Sequence, residues 1–345
     1  MSHSLIHNRL SQWYEQYHRV LPWRETEDPY RIWVSEIILQ QTRVAQGLEY
    51  YLRFVDRFPT VEALASASED EVLRYWQGLG YYSRARNMHR AAQMIVAQQM
   101  DVFRGHTTPI SQEAIFKGLL SLPGVGEYTA GAIASFAYDM PYPALDGNVY
   151  RVLSRLYDCD IAFDTTAGKK HFHQLAESLL DRTNPRVHNS AIMEFGALYC
   201  TPTSPDCSLC PLQECCLAYV HHTVELLPVR KSRTPLRERY LNYTIYLNNQ
   251  MQTLIYQRTH NDIWKHLYEF PLIEDDHLLP VPANTPSIDF THILSHQRLH
   301  ARFLIKKVSE LPQLPNTITI PLSSLDDYAL SRLTLRALNA LGLQL

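Results

Sequence analysis

The chain lacks the hallmarks of secreted, membrane-spanning and repeat proteins. Its first ten residues, MSHSLIHNRL, contain no apolar run and no cleavage-like site, so they do not resemble a signal peptide. No run of about 18 apolar residues occurs, and a membrane span is therefore not predicted. No internal repeat or low-complexity segment stands out. With 345 residues, 46% hydrophobic and 19% charged, the sequence predicts a soluble cytosolic protein of about two domains.

An excess of basic residues is also missing. The chain has 32 Lys and Arg against 35 Asp and Glu, a net charge of −3. Residues 1–225 carry 19 basic and 25 acidic side chains, and residues 226–345 carry 13 and 10. Composition alone therefore does not indicate a nucleic-acid-binding protein. Such a role would have to depend on local basic patches and on backbone N–H donors.

Cysteine is almost absent outside one stretch. Five of the six cysteines lie in CTPTSPDCSLCPLQECC, residues 200–216, and the sixth is Cys159. Cytosolic thiols stay reduced, so this density indicates a metal site or catalysis rather than disulfides. The wide spacing favours an iron–sulfur cluster over zinc. Adjacent Cys215 and Cys216 point in different directions, so one of them is expected to bind. Cys159 is expected to be a small buried hydrophobe.

Two regions differ in their periodicity. Residues 1–225 combine apolar residues at helical spacing with good helix formers, which predicts an all-α region. Residues 226–239, LLPVRKSRTPLRER, predict a basic linker that is either solvated or in contact with nucleic-acid phosphates. Residues 240–345 predict an α+β domain. Within it we expect a hairpin at YLNYTIYLNNQMQTLIYQR, a strand at RLHARFLIKK, and an amphipathic helix at SLDDYALSRLTLRALNALGL.

Two segments have features that suit nucleic-acid binding. In LLSLPGVGEYTAGAI, Gly124 and Gly126 permit a tight turn, and their N–H groups with that of Val125 would face a phosphate at a helix amino terminus. An ordinary glycine-capped helix hairpin explains the pattern equally well. WQGLGYYSRARN, residues 76–87, combines tyrosines with arginines, which suits base stacking and phosphate contact, although a plain helix–loop–helix joint also fits.

Two carboxylates stand in contexts that permit catalysis. Glu36, in WVSEIILQQTRV, lies among apolar residues and is either solvated on a helix face or a desolvated acid with a raised pKa. Gln40 and Arg43 are expected on the same helix face. Asp146, in PALDGNVYRVLSRLY, opens an amphipathic helix, where capping is the usual role of an aspartate. Neither residue identifies an active site by itself.

Together these segments and the cysteines resemble the MutY-type adenine DNA glycosylases of the helix–hairpin–helix superfamily. The resemblance covers nearly the whole chain and is most specific over residues 19–216. It implies that Glu36 protonates adenine at N7, that Asp146 stabilises the cationic sugar or forms a transient bond to it, and that Tyr128 and Asn148 support both. The family's C-x6-C-x2-C-x5-C spacing implies a 4Fe-4S cluster on Cys200, Cys207, Cys210 and Cys216.

The same resemblance implies the residues that contact DNA. Tyr81 would enter the gap left by the extruded base, and the hairpin N–H groups of Gly124, Val125 and Gly126 would hold the backbone. The adenine pocket or helix wedge would be formed by Arg19, Trp23, Arg24, Leu39 and Gln41.

Tyr128 bears on the reaction type. Endonuclease III relatives place a lysine nucleophile just after Gly-Val-Gly-x, where this chain has Tyr128. Lys117 lies on the preceding helix. The resemblance therefore implies a monofunctional glycosylase that leaves an abasic site.

Residues 240–345 resemble the Nudix-like domain of the same family. The segment YEFP, Tyr268–Pro271, stands where the family usually has Trp-Glu-Phe-Pro. No metal box of spaced glutamates follows, so nucleotide hydrolysis is not expected. The loop HILSHQ resembles the one that reads 8-oxoguanine, with Leu294 as a wedge, Ser295 against the oxidised base and His296 assisting. Leu294 replaces the aromatic residue often found there.

The resulting expectation is a monomeric, cytoplasmic and nucleoid-associated enzyme with an iron–sulfur cluster and no membrane association. Its partner is double-stranded DNA with adenine opposite 8-oxoguanine or guanine. The alternatives are a bifunctional endonuclease III-like glycosylase, a non-enzymatic iron–sulfur protein that binds DNA or senses redox state, and a zinc-bearing regulator.

Overall fold

A computed structural model of the chain describes residues 3–103, 111–231 and 235–343. None of the helices in these ranges combines the length and the apolar character needed to cross a bilayer. The α-helices are α1 (His3–Tyr17), α2 (Pro29–Leu39), α3 (Val44–Arg57), α4 (Val61–Ser66), α5 (Glu69–Tyr75), α6 (Ser83–Ala97), α7 (Gln112–Leu120), α8 (Glu127–Tyr138), α9 (Gly147–Leu156), α10 (Thr166–Leu179), α11 (Pro185–Leu198), α12 (Leu217–Val220) and α13 (Arg332–Ala340).

The strands of the described residues all lie after residue 236. They are β1 (Arg237–Leu247), β2 (Gln252–Gln257), β3 (Tyr268–Glu269), β4 (Leu272–Asp275), β5 (Ser287–Ile293), β6 (Gln297–Lys307) and β7 (Ile318–Pro321). The described residues divide into two compact units. The first comprises residues 3–51, 58–62, 91–103 and 111–231, and the second comprises residues 52–57, 63–90 and 235–343. The second unit therefore contains α5 as well as the strands.

The first unit is built around two buried helices. Asp28 caps α2 by accepting hydrogen bonds from the N–H groups of Tyr30 and Arg31, and Pro29 occupies the first turn. Apolar residues surround α2 on nearly every side, which is why Glu36 becomes buried with them. Helix α2 packs against α8, whose small residues permit close approach.

Helix α2 is shorter than its periodicity predicts. It ends at Leu39, Gln40 leaves the helical conformation, and Gln41 has φ of 58°. The expectation that Arg43 shares the face of Glu36 is therefore wrong. The left-handed backbone conformation of Gln41 changes the direction of the chain before α3 begins. Hydrophobic periodicity does not predict such a change in a single residue.

The second unit contains a four-stranded sheet of order β4-β1-β6-β5 and a three-stranded sheet of order β3-β2-β7. Strands β1 and β6 are parallel, whereas β4 and β5 are antiparallel edges. Strand β6 alternates as predicted, with Leu299, Ala301 and Phe303 fully buried. Helix α13 packs against β5.

Two local predictions for this domain are wrong. Strands β1 and β2 do not form a hairpin: β1 pairs with β4 and β6, whereas β2 pairs with β3 and β7 in the other sheet. The predicted tail helix is also broken: residues Leu322–Asp327 form a 3₁₀ helix and α13 begins only at Arg332. The periodicity of a strand does not specify which other strand it pairs with.

The first strand begins inside the residues that were predicted to form the basic linker. Strand β1 begins at Arg237, inside residues 226–239. Arg239 is buried and bonds the carboxylates of Asp262 and Glu274, so it does not face a phosphate. Arg233 lies outside the described residues.

Candidate active site

A cavity of about 270 Å³ in the first unit brings the two candidate carboxyl groups together. It lies among α2, the amino ends of α8 and α9, and α11. Nine of the residues that the sequence suggested line it: Arg19, Trp23, Arg24, Glu36, Leu39, Gln41, Tyr128, Asp146 and Asn148. A nucleoside-sized ligand could therefore meet both carboxyl groups at once.

Glu36 is desolvated and has few donors. Its side chain is 2% exposed, the Tyr128 hydroxyl donates to Oε2 at 2.6 Å, and the Arg24 guanidinium lies 3.8 Å from Oε1. Burial raises the pKa of the Glu36 carboxyl, against the opposing effects of the Arg24 cation and the Tyr128 hydrogen bond. The charge of Asp146 raises it further. This environment favours the protonated acid.

Asp146 accepts more hydrogen bonds. It caps α9, where Oδ1 accepts from the N–H groups of Asn148 and Val149 at 2.8 Å, and Oδ2 accepts from Asn148 Nδ2 at 2.8 Å. Burial raises the pKa of Asp146, but these three hydrogen bonds and the Arg151 cation act in the opposite direction. Asp146 therefore caps α9 and lines the cavity at the same time.

Asn148 and Tyr128 are held in defined orientations. Arg151 donates to Asn148 Oδ1 at 3.0 Å, which leaves Asn148 Nδ2 to donate to Asp146. Helix α11 approaches closely at Gly196, where a Cβ atom would lie 2.7 Å from Asn148 Cβ. Burial raises the pKa of Tyr128 well above its ordinary value, so this side chain is a neutral donor.

One charged residue of the cavity was missed by the sequence analysis. Glu194, on α11, lines the cavity and accepts hydrogen bonds from Arg19 Nε at 2.6 Å and from the second guanidinium nitrogen at 2.8 Å. Burial alone would raise the pKa of Glu194, but the hydrogen bonds from Arg19 lower it. The signal was a carboxylate among apolar residues in AIMEFGALY, the same signal that singled out Glu36.

The Pro-Gly-Val-Gly hairpin forms as predicted, except at Val125. Gly124 has φ of 80°, and Gly126 caps α8. The N–H group of Val125 does not face outward, because it donates to the Leu122 carbonyl at 3.1 Å and the residue is buried. An anion at this turn would have to be held by the other N–H groups.

Lys117 lies away from the cavity. It is on α7, is mostly exposed and forms an ion pair with Glu113 at 2.8 Å. It is not among the residues that line the cavity.

The cysteines separate into two groups. Cys200, Cys207, Cys210 and Cys216 line one small cavity, whereas Cys215 and Cys159 are buried in the hydrophobic core. All six cysteines are described, none forms a disulfide, and no three of their sulfurs lie within 4.8 Å of one another. A tetrahedral zinc site, with Zn–S bonds of about 2.3 Å, would need sulfurs about 3.8 Å apart.

The four clustered thiols also fit a larger group electrostatically. Burial raises the pKa of Cys210 to about 12, and burial with the neighbouring thiolates raises the pKa of Cys207 and Cys216. A cationic inorganic centre would replace those protons and relieve the repulsion. Arg155 donates to Cys200 Sγ at 3.4 Å and to the Thr201 carbonyl at 2.7 Å, which ties this loop to α9.

A second set of predicted residues meets in the second unit. Tyr81, Leu294, Ser295 and His296 line a groove of about 320 Å³. Tyr81 is 47% exposed with φ of 47°, and Ser295 Oγ lies 3.1 Å from His296 Nδ1 on an exposed loop. Leu294 is half-buried against the core of this unit. The structure therefore joins two segments that are more than 200 residues apart in the sequence.

Comparisons with known proteins agree with this organisation. Residues 34–180 match the model of the HhH-GPD superfamily base excision DNA repair proteins, and residues 242–340 match that of the NUDIX domain. The chain is 32% identical over 326 residues to the adenine DNA glycosylase of Buchnera aphidicola subsp. Baizongia pistaciae, covering 90% of this chain and 89% of the relative. It is 42% identical to the human adenine DNA glycosylase over 61% of this chain and 38% of the human protein.

Solved structures share the helical fold. A thermostable thymine-DNA glycosylase superimposes with a TM-score of 0.54 at 26% identity, over 64% of this chain and 97% of the other. An endonuclease III in a non-covalent complex with DNA has a TM-score of 0.51 at 20% identity, over 65% of this chain and 99% of the other. The predicted fold class, a helix–hairpin–helix region followed by a Nudix-like α+β domain, is confirmed. The chain belongs to the adenine DNA glycosylase family of the HhH-GPD superfamily of base excision DNA repair proteins.

Proposed function

We propose that this protein is a monofunctional glycosylase that removes adenine paired with 8-oxoguanine or guanine in double-stranded DNA. The observation that supports this most directly is the shared cavity of Glu36 and Asp146. Burial raises the pKa of both carboxyl groups, but Glu36 accepts one hydrogen bond and Asp146 accepts three, as expected for an acid and an anion that act in one reaction.

In the proposed reaction, adenine leaves the duplex and enters the cavity, at a cost of about a few kcal/mol for unstacking. The Glu36 carboxyl donates its proton to adenine N7, while the Tyr128 hydroxyl bonds the other carboxyl oxygen and orients the acid. The bond between the base and the sugar breaks through a transition state of oxocarbenium character, and adenine departs as a neutral molecule. The Glu36 carboxylate then takes the proton that water releases when it adds to the sugar carbon, which restores the acid.

Asp146 then stabilises the cationic sugar. Its three hydrogen bonds from Asn148 and Val149 favour the ionised form and fix its position. Water completes the substitution at the sugar carbon and leaves an abasic site. A bifunctional reaction would need an amine nucleophile at the cavity, and the predicted lysine position holds Tyr128 instead.

Cys200, Cys207, Cys210 and Cys216 would bind a 4Fe-4S cluster. When bound, it supplies a rigid crosslink for the loop that follows α11, and no step of base removal passes through it. Arg155, buried beneath this loop, bonds both the Cys200 sulfur and loop carbonyls and would hold the cluster against α9.

The groove in the second unit would read the base opposite adenine. Ser295 and His296 are exposed polar groups next to one another, and Tyr81 is an exposed aromatic side chain on the same groove. This pairing of an aromatic face with polar groups suits a purine that differs from guanine in its hydrogen-bonding edge. We propose that the enzyme acts as a monomer on DNA in the nucleoid.

The direct test is the Glu36→Gln variant in single-turnover excision on duplexes with adenine opposite 8-oxoguanine. Loss of the acid should lower the excision rate by at least about 10²-fold, while duplex binding stays within about threefold of wild type. Glu113→Gln, which neutralises an exposed carboxylate on α7, is the matched control and should excise normally. Full activity of Glu36→Gln would exclude Glu36 as the acid.

The same duplexes distinguish the rival functions. A bifunctional enzyme would be trapped on DNA by borohydride, whereas the proposed enzyme would not. A non-enzymatic DNA-binding protein would excise no base. Substitution of Glu36 or Asp146 would not change its affinity for the duplex.

A further inference from the structure

The groove in the second unit contains a tryptophan that no sequence motif singled out. Trp264 lines it together with Tyr81 and residues 292–296. The other four tryptophans of the chain, which the structure also describes, are buried, with at most 7% of each exposed. Trp264 is only partly buried. The volume of about 320 Å³ falls in the range of roughly 300–1,000 Å³ that is usual for small-ligand sites.

The backbone at Trp264 adopts an unfavourable conformation. Its φ is 57°, a left-handed value that bulky residues rarely adopt and that glycine or asparagine would occupy with less strain. Tyr81, on the same groove, has φ of 47°. Both of these aromatic residues therefore have a strained backbone, which lowers local stability. Strain of this kind is typical of functional sites, where it fixes the position of a side chain.

Hydrogen bonds on both sides hold Trp264 in place. Arg258 Nε donates to the Ile263 carbonyl at 3.1 Å, and Arg86 donates to the Lys265 carbonyl at 2.7 Å. The carbonyl of Trp264 itself accepts from the Leu267 N–H group at 3.0 Å. The surrounding structure therefore determines the strained conformation, which gives the ring a defined position rather than a mobile one.

A single buried guanidinium connects this segment to the loop that carries Ser295 and His296. Arg239 donates to Asp262 Oδ1 and to Gln297 Oε1, both at 3.0 Å. Asp262 precedes Trp264 by two residues, and Gln297 directly follows His296. The tryptophan and the polar loop are thus fixed to one another through a group that is 6% exposed.

The chemistry of the groove suits a nucleobase. Aromatic faces stack on any base, and Arg86 and Arg332, which also line the groove, provide positive charge for the sugar–phosphate backbone. The His292 ring lies 6.0 Å from the Trp264 ring. Ser295 and His296 supply polar atoms that an aromatic surface lacks.

We propose that Trp264 stacks on the base opposite the extruded adenine, an oxidised purine, and holds it where Ser295 and His296 contact its edge. The proposal rests on the function proposed above. It assigns the distinction between 8-oxoguanine and guanine to those edge contacts, and it assigns to Trp264 the orientation of the base on which they depend.

The test compares Trp264→Asn and Trp264→Phe in single-turnover excision of adenine opposite 8-oxoguanine and opposite guanine. Asparagine tolerates the left-handed backbone and removes the aromatic face, whereas phenylalanine retains a face. We expect Trp264→Asn to lower the ratio of the two rates about tenfold, because a base that is no longer held in place loses the edge contacts that favour 8-oxoguanine, and Trp264→Phe to keep the ratio within about twofold. Tyr246→Asn is the matched control, because Tyr246 is partly buried, contacts Lys306 and does not line the groove.

Intrinsic fluorescence provides a second measurement that does not depend on activity. A duplex with an uncleavable adenosine analogue opposite 8-oxoguanine should quench the tryptophan emission of wild type more than the guanine duplex does. Trp264→Phe should lose this difference, since Trp13, Trp33 and Trp76 are buried and line neither site, and Trp23, in the adenine cavity, meets the same adenosine analogue in both duplexes.

The two ways of failing are distinguishable. An unchanged rate ratio in folded Trp264→Asn overturns this inference alone. If that variant does not fold, equal quenching of wild type by the two duplexes overturns it. Wild type that excises no adenine from either duplex would instead overturn the proposed function.

Discussion

At the scale of single residues, the environment of a carboxyl group decides its chemistry. Glu36 and Asp146 line one cavity, but Glu36 accepts one short hydrogen bond from a tyrosine whereas Asp146 accepts three, two of them from the backbone of the helix it caps. A helix amino terminus stabilises negative charge. The sequence indicated both residues as candidates. They differ in the number of hydrogen-bond donors because Glu36 lies within α2, whereas Asp146 caps the amino end of α9.

The buried Glu36 predicts a pH-dependent stability. Its folded pKa is raised, so its contribution to stability is largest below its unfolded pKa, near 4.5, and is lost as the pH rises through the folded pKa. Glutamine does not titrate. We therefore expect the melting temperature of Glu36→Gln to rise relative to that of wild type as the pH increases above about 4.5. Thermal unfolding across this range provides the measurement, and a difference that stays constant with pH would contradict it.

At the scale of elements, close approach between helices positions the cavity. Gly196 of α11 faces Asn148 of α9, and the missing Cβ is what lets the two helices meet there. The cavity therefore depends on a residue that has no functional group. Neither the composition nor the periodicity of α11 distinguishes this glycine from an ordinary one.

Gly196→Ala should consequently impair excision. The new Cβ would lie 2.7 Å from Asn148 Cβ and 3.0 Å from its carbonyl oxygen, so Asn148 and Asp146 must shift. We expect the excision rate to fall by about tenfold to 10²-fold and stability to fall by about 1–3 kcal/mol. Gly118→Ala, with its Cβ 2.6 Å from a Val102 methyl group, imposes a similar clash away from the cavity. Equal rate losses in the two variants, measured below their melting temperatures, would attribute the effect to destabilisation.

The cysteine loop makes a second prediction at this scale. Cys216 lines the thiol cavity, whereas its neighbour Cys215 is 5% exposed in the hydrophobic core. Cys216→Ser should lower the iron content and the visible absorption of purified protein to a small fraction of wild type. Cys215→Ser should retain both and lose only about 1 kcal/mol of stability through a buried hydroxyl. Iron loss in Cys215→Ser without loss in Cys216→Ser would reverse the assignment.

At the scale of the whole molecule, the compact units do not follow the order of the chain. Residues 63–90, including α5, belong to the same unit as the sheets, and Tyr82 donates to the Leu330 carbonyl at 3.2 Å. Gln77 accepts from the Leu330 N–H group at 3.0 Å. The segment that carries Tyr81 is therefore fixed against the Nudix-like domain rather than forming a separate loop.

The exposed loop that carries Ser295 and His296 lies in the second unit, and the catalytic carboxyl groups lie in the first. Substitutions in this loop should therefore affect the discrimination between 8-oxoguanine and guanine more than they affect catalysis. Ser295→Ala combined with His296→Ala should slow excision of adenine opposite 8-oxoguanine by about tenfold or more and leave the guanine duplex within about threefold, because one or two hydrogen bonds to the base edge are lost. Single-turnover rates on both duplexes measure this. Unchanged discrimination would remove the loop from base recognition.

The sequence by itself determined the fold class, the helical hairpin and β6, and it indicated Glu36 and Asp146 as candidates. Each of these depends on local patterns: apolar periodicity, turn-forming glycines, and motifs whose residues are neighbours in the chain. A family resemblance added the other expected cavity residues, the cysteine ligands and the roles of Glu36 and Asp146, which the local patterns alone left open.

Only the tertiary structure decided which strands pair, where α2 ends, and which groups surround each carboxyl. Strand β1 pairs with β4 and β6, and β2 pairs with β3 and β7, so every partner that replaces the predicted hairpin is more distant in the sequence. Glu194 reaches the cavity, and Trp264 the groove, by the same kind of long-range packing. The energy of these contacts depends on three-dimensional neighbours, which a one-dimensional pattern of polar and apolar residues does not specify.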